Sequence, residues 1–368
     1  MSDVSDEMIR TLDRIVEDHV TAQVREAAEF GAYVPAGAAQ SMRFPSALWK
    51  ALDEAGFTQV VGTGLDGDVS FAEAMELVRR SAYHALPVPL GGIIMARHIV
   101  GKIRGELPEE TFGLALVSPT QSVRFLPMAS HGWQKEGDSL TLEGYGVTTA
   151  YLASGRGDDG RERLAVIDPG SVTCIVEANE AGEARIVVPT GPVTSNAPQR
   201  IIWIAEVPGA MEQMHAMGAL LRAVQMAGAM ERVLEHCMTW VNDRVQFGKP
   251  IVRFQAVQHL MAELAAETAA AGAATDQAVE ASAERPDRFA IAVAKARTGE
   301  AAGRTAAIAH ELFGAMGFTR EHTLHYVTRR LWAWRNEFGG EGYWQGEIGR
   351  QIAAGGGANL WPVLTARG

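Results

Sequence analysis

Only two cysteines occur in 368 residues, Cys174 and Cys237, and they lie far apart. That scarcity excludes a disulfide scaffold, and the spacing fits neither a metal-ligand set nor a redox pair. It suits a reducing compartment. Cationic excess is lacking too: the formal net charge is −11, which argues against a general nucleic-acid or membrane-surface binder. No uninterrupted apolar run approaches the ~18 residues that suggest a membrane span. The opening MSDVSDEMIRTLDRIVED is acidic and amphipathic, unlike the charged-then-apolar pattern of a secretion signal. A soluble, cytoplasmic protein is expected. What the chain does have is apolar residues, at 47%, enough to bury a sizeable core in two or three domains or one multi-layer unit.

Apolar residues recur at helical spacing over residues 6–30, at Met8, Leu12, Ile15, Val16 and Val20. Ser46 is placed to cap a helix bearing Leu48 and Leu52; Gly56 ends it, and Phe57 can pack back against it. Ser70 gives a start signal for a helix over Phe71–Ser81. Pro87, Pro89, Gly91 and Gly92 then punctuate before an apolar helix over Ile93–Ile103. Residues 1–108 thus read as an N-terminal helical domain. His84 and His98 sit among apolar neighbours and read as hydrogen-bonded packing residues.

Over residues 109–206 the texture changes to short apolar runs, most of them rich in branched residues. They are Gly113–Val117, Leu140–Leu142, Tyr151–Leu152, Leu164–Ile167, Val172–Val176, Arg185–Val188 and Ile201–Ile204. Gly, Asp, Asn and Pro separate them, the pattern of a small β-domain. Residues 207–368 return to helix. Pro208-Gly209 breaks the strand pattern, and a stripe follows through Met214, Met217, Leu221, Val224, Ala227, Met230, Val233, Leu234, Cys237 and Val241. Such a stripe is core more often than a cofactor box. Further helices read over Gln255–Ala283, Phe289–Leu312 and Thr323–Trp334, with a loose tail through Ala353–Ala358. The fold class is α+β: helical domain, β-domain, four-helix bundle.

Between the first two long helices of the bundle lies RVQFGKPIVRFQAVQ, Arg244 to Gln258. Gly248 permits a backbone angle that other residues resist, and Pro250 cannot continue the preceding helix. Arg244 and Gln246 flank the turn on one side, Gln255 and Gln258 on the other. Arginine is the side chain best built to grip phosphate with paired hydrogen bonds. By spacing alone the stretch is equally a helical elbow with a polar rim. Downstream stands Glu311-Leu-Phe-Gly-Ala-Met-Gly-Phe-Thr-Arg-Glu-His322, whose Gly314 reads alone as an ordinary helix C-cap.

Taken together, these two stretches resemble the acyl-CoA dehydrogenases: Arg-x-Gln-Phe-Gly-x-Pro-Ile-x-x-Phe-Gln-x-x-Gln at the first, and the family's Gln-x-x-Gly-Gly-x-Gly-Phe-Thr-x-Glu-His at the second. The resemblance is strongest over residues 207–335. It implies the same three-part fold and FAD as cofactor. It also implies removal of two hydrogens from the α and β carbons of an acyl-CoA thioester, with a glutamate as base. In such proteins the adenosine end of FAD lies across a subunit contact, so a dimer or tetramer is implied. By resemblance Arg244 meets the pyrophosphate, Gln246, Phe254 and Gln255 lie near the adenosine, and Gly314 and Gly317 let backbone amides approach. Two departures stand here: Glu311 where the family has Gln, and Ala315 where it has Gly.

The β-domain departs further. Val117–Ser122 is the nearest text to the family's flavin-cradling Thr-Glu-Pro-Gly-x-Gly-Ser loop and lacks both glycines; Val147–Thr149 lacks the usual Trp. For the base, Glu341 precedes Gly342 as the family's glutamate does, and Glu337 is the other candidate. On a Gly-rich loop either carboxylate also reads as merely solvated. The position some relatives use on the long helix falls near Gly218. Arg329, Arg330 and Arg335 read as a solvated or ion-paired face. The combination resembles the two-subunit acyl-CoA dehydrogenases of bacterial steroid side-chain degradation, implying a homologous partner subunit and a bulky acyl-CoA such as a sterol side-chain ester. Two alternatives stay open: a non-catalytic subunit that lends FAD contacts to its partner, and a same-fold flavin oxidase or monooxygenase.

Overall fold

The computed structural model describes residues 3–29, 44–62, 69–104, 112–116, 122–125, 133–136, 140–143, 150–168, 175–188 and 200–365. Val117–Gln121 and Val147–Thr149, the stretches compared with flavin-binding loops, lie outside the described residues.

The N-terminal part is helical: α1 (Asp3–His19), α2 (Ala22–Glu29), α3 (Ser46–Glu54), α4 (Phe71–Tyr83) and α5 (Leu90–Arg104). Leu12 and Val16 of α1, and Leu48 and Leu52 of α3, are buried where the spacing puts them. Ser70 caps α4 in a full capping box: its hydroxyl accepts from the Glu73 amide while Glu73 accepts from the Ser70 amide. Ser46 is the first residue of α3 rather than its cap; Pro45 holds the cap position without a side-chain bond. His98 Nδ1 lies 3.0 Å from the Gly62 carbonyl, with its ring stacked on Phe71. His84 Nε2 lies 2.7 Å from Asp13. Both histidines are packing residues, as read.

Nine strands follow among the described residues: β1 (Phe112–Leu116), β2 (Ser122–Phe125), β3 (Trp133–Glu136), β4 (Leu140–Glu143), β5 (Ala150–Gly157), β6 (Glu162–Asp168), β7 (Ile175–Ala178), β8 (Ala184–Val188) and β9 (Arg200–Glu206). β5 is the hinge of this sheet. One edge pairs in parallel with β1 and then β2; the other pairs antiparallel with β6, which continues to β9. β1 switches to antiparallel pairing with β4, and β8 and β7 follow. Seven strands fall on the apolar runs of the sequence. β2 and β3 do not, because SVRF and WQKE carry too few branched apolar residues to stand out.

The C-terminal part is built on α6 (Ala210–Asp243), which packs on α4, α5, β5 and β6 as well as on the helices after it. An exposed hairpin, β10 (Val245–Gln246) and β11 (Lys249–Pro250), leads to α7 (Gln255–Ala281), α8 (Arg288–Phe313) and α9 (Leu324–Asn336). Asp287 caps α8, accepting from two amides at 3.0 Å. The tail is more ordered than its composition suggests: α10 (Glu341–Gly355) and α11 (Leu360–Thr365) close the chain. Trp344 is the one α10 residue fully buried, and it anchors that helix against the rest. Glu341 therefore opens a helix and is not on a loop.

Candidate functional site

Two separate constellations hold the candidate residues. The first is the elbow after α6. Phe247 and Gly248 both take positive φ, +52° and +76°, which folds the β10–β11 hairpin outward. Arg244 caps the C-terminus of α6 and is exposed, its guanidinium 5.2 Å over the Trp240 ring. Phe254 is the N-cap of α7 and makes no side-chain cap, so the first amides of that 27-residue helix stay open beside Gln255. Lys249 lies 4.4 Å over the Phe254 ring, and Arg253 is exposed next to it. Open amides, a helix dipole and three cations at one place favour an anion such as a pyrophosphate. Gln246 pairs through its backbone with Lys249 and leaves its side chain exposed. Phe247 is 91% exposed, an apolar ring whose edge-to-face contact with Phe254, at 6.1 Å, leaves most of it uncovered.

The Gly314–Gly317 turn is brought to this elbow by residues that sequence reading passed over. Trp240 stacks on Phe313 at 4.6 Å and donates from Nε1 to the Leu312 carbonyl at 3.0 Å. Gly314 caps α8 at φ +62°, with open space where a β-carbon would stand. Gly317 is different: a β-carbon there would meet Phe313 at 3.0 Å and His310 at 3.1 Å. Its smallness seats the turn against α8. Glu311 is exposed. Phe313 stands within the Glu311–His322 stretch, but nothing local in the sequence pairs it with Trp240.

The second constellation surrounds Glu337, between α9 and α10. Arg222, fully buried on α6, donates from Nε to Glu337 at 2.6 Å and from Nη2 to Glu143 of β4 at 3.1 Å, and also binds Gln225. Arg185 of β8 donates to the other Glu337 oxygen at 3.0 Å and to Glu183 at 2.9 Å. Arg330 of α9 lies 3.3 Å from Glu183, which also accepts from Trp334 at 2.9 Å. Three carboxylates and three guanidiniums thus meet where the β-domain touches the bundle. Arg330 is ion-paired, one of the two readings the sequence allowed, but inside this buried network and not on a face. Burial works against the charge on Glu183, but Arg185, Arg330 and Arg222 outweigh it and hold its pKa at about 2. Glu337 is likewise held below the usual carboxylate range: burial raises it, and Arg222 and Arg185 overcome that.

A carboxylate so held, with both oxygens engaged, is a weak proton acceptor. Glu341, in the first turn of α10, is ion-paired with Arg335 and packs on Gly299 of α8. The space around Gly218 is filled: a β-carbon on it would lie 2.2 Å from the Phe338 ring. A cavity of about 70 Å³ borders the network between Pro45, Leu86 and Val88 on one side and Glu143, Arg185 and Gln225 on the other. Sequence reading found Glu337 but missed Glu143, Glu183, Arg185 and Arg222. Arg222 in the middle of an apolar helix was the visible sign.

Comparison with known proteins gives the family context. The family described as acyl-CoA dehydrogenase, C-terminal domain, matches residues 208–350. The acyl-CoA dehydrogenase FadE34 of Mycobacterium tuberculosis is 32% identical over 164 residues, which cover 44% of this chain and 22% of FadE34. The chain thus matches about one-fifth of that relative's length. A variant of the Tcur3481–Tcur3483 steroid ACAD shares the fold with TM-score 0.79 at 21% identity, covering 96% of this chain and 98% of that one. The ChsE4–ChsE5 complex from Mycobacterium tuberculosis gives TM-score 0.77 at 20% identity, covering 96% and 98%. No described helix is long and apolar enough to cross a membrane.

Proposed function

For a chain whose residues 208–350 match the C-terminal domain of acyl-CoA dehydrogenases, we propose the role of one subunit in an FAD-dependent acyl-CoA dehydrogenase. The observation that carries it is the exposed Arg244 elbow, joined through Trp240 and Phe313 to the Gly314 turn. The residues fit the phosphate end of FAD. Arg244, with its fork of donors, would hold the pyrophosphate beside the open amides of α7. Gln246, Phe254 and Gln255 would line the adenosine end, with Gly314 leaving room next to them and Gly317 seating its turn. When bound, FAD supplies the hydride acceptor. Because the elbow stands clear of its own bundle, it would serve a cofactor shared with a neighbouring subunit, a second copy or a homologous partner. The steroid relatives make a bulky steroid side-chain CoA ester our proposed substrate class, by analogy of fold.

Under this reading Glu341 or Glu337 takes the α proton, and must first leave Arg335 in the one case or both Arg222 and Arg185 in the other. The clamp on Glu337 favours a second reading, in which this subunit lends FAD contacts and its partner supplies the base.

The test is the visible spectrum of the protein purified alone and co-expressed with a homologous subunit, each titrated with a steroid side-chain CoA ester and a short acyl-CoA. Flavin in the lone protein that bleaches with acyl-CoA supports the first reading; Glu341→Gln and Glu337→Gln then identify the base. Bleachable flavin only in the co-purified assembly supports the second. Colourless protein in both, after reconstitution with FAD, overturns both.

A further inference from the structure

Lys295 is a lysine without a surface. It sits on the inner face of α8, 1% exposed, and its ammonium reaches no solvent. Instead Nζ donates to two backbone carbonyls, that of Arg335 at 2.7 Å and that of Gly339 at 2.8 Å. The first belongs to the last turn of α9, where carbonyls have no partner within the helix and a cation is favoured by the helix dipole. The second lies four residues on, within the bend that leads to α10.

That bend is strained. Phe338 takes φ +55° and Gly339 φ +93°. A non-glycine residue in the left-handed region is disfavoured and persists only where its surroundings hold it. Two side chains do so here. Lys295 ties the carbonyls at either end, and Trp344 Nε1 donates to the Phe338 carbonyl between them at 3.0 Å. The bend in turn sends two side chains to α6: Glu337 to Arg222 at 2.6 Å, and the Phe338 ring onto Gly218.

We propose that Lys295 is the positioning residue of the 336–340 bend, fixing where Glu337 and Phe338 meet α6. Its bearing on catalysis rests on the reading above, since it positions the stretch that carries the candidate bases. Its action on the bend does not, and is measured on the chain without cofactor. The charged and titratable groups facing it are His215 and Arg222 on α6, Arg335 on α9, Glu337 in the bend and Glu341 on α10. Burial, the largest influence, pulls the Lys295 pKa down to about 7 despite the two glutamates. Between pH 7 and 10 the unfolded chain therefore holds a proton that the folded one has released. Stability rises with pH through that window.

The experiment is amide hydrogen exchange and denaturant unfolding of wild type, Lys295→Met and Lys295→Gln. Exchange in Lys295→Met should quicken at least tenfold over residues 337–344, with α7 unchanged. The wild-type unfolding midpoint should rise from pH 7 to 10 relative to both variants. If Lys295→Met does not fold, wild type against Lys295→Gln decides by the pH profile. Unfolding profiles that run parallel for wild type and variant overturn the proposal, as does quickened exchange spread evenly over the bundle.

Discussion

Arg222 and Glu337 stand 115 residues apart in the chain and 2.6 Å apart in space. Their bond joins the middle of the longest helix to the bend after α9, and Arg185 joins both to the sheet. Among the described residues the sheet and the C-terminal helices are tied by charge here. A buried pair of this kind adds little beyond what apolar packing would give, but removing one partner is costly because the other is stranded.

Arg222→Met should therefore destabilise the protein by about 3–5 kcal/mol, since it leaves Glu337 and Glu143 short of a partner in a dry site. Urea unfolding measures it. A loss under ~1 kcal/mol would mean that water reaches the network and screens it.

The same network sets the acid limit. Glu183 and Glu337 have folded pKa values below their unfolded ones, so their stability is fully present above about pH 4.5 and is lost as pH falls through the folded values, about 2 for Glu183. Between pH 5 and 2 the wild type should lose stability more steeply than Glu183→Gln. Identical slopes would contradict the assignment.

Gly218→Ala puts a methyl group into the Phe338 ring and should cost about 1–3 kcal/mol. Adding Phe338→Leu should recover part of that loss. Additive losses in the double variant, read by thermal melting, would show that the ring moves aside freely.

Phe247→Ser removes a ring that its own protomer does not bury. Protomer stability should change by less than ~0.5 kcal/mol. Association with a partner or second copy should weaken by about 2 kcal/mol, roughly 30-fold, by sedimentation velocity. Unchanged association would place the interface elsewhere.

Much of this architecture is legible in the sequence. The helical periods of α1, α4 and α6, the capping box at Ser70 and the branched runs of β6 and β8 are local patterns with local causes. So is the elbow, where Gly248 and Pro250 mark the break. What is not legible is long-range. The three carboxylates and three guanidiniums of the buried network come from six positions between residues 143 and 337, and nothing local at any of them names its partners. α10 was hidden because Gly342, Gly346, Gly349 and the glycines after it suggest a loose tail, while a single buried Trp344 secures the helix. The standing of Glu337 changed for the same reason: a carboxylate on a Gly-rich stretch reads as solvated until Arg185 and Arg222 arrive from elsewhere.

The most direct test of the central claim is FAD affinity in the assembled protein carrying Arg244→Ala. Arg244 is exposed, so the fold and the assembly should survive. A charge-assisted contact is worth about 1.5–3 kcal/mol, so FAD should bind roughly 10- to 100-fold more weakly, with Arg244→Lys recovering only part. Full flavin occupancy and unchanged affinity in Arg244→Ala would contradict the account, because the elbow would then not hold the cofactor.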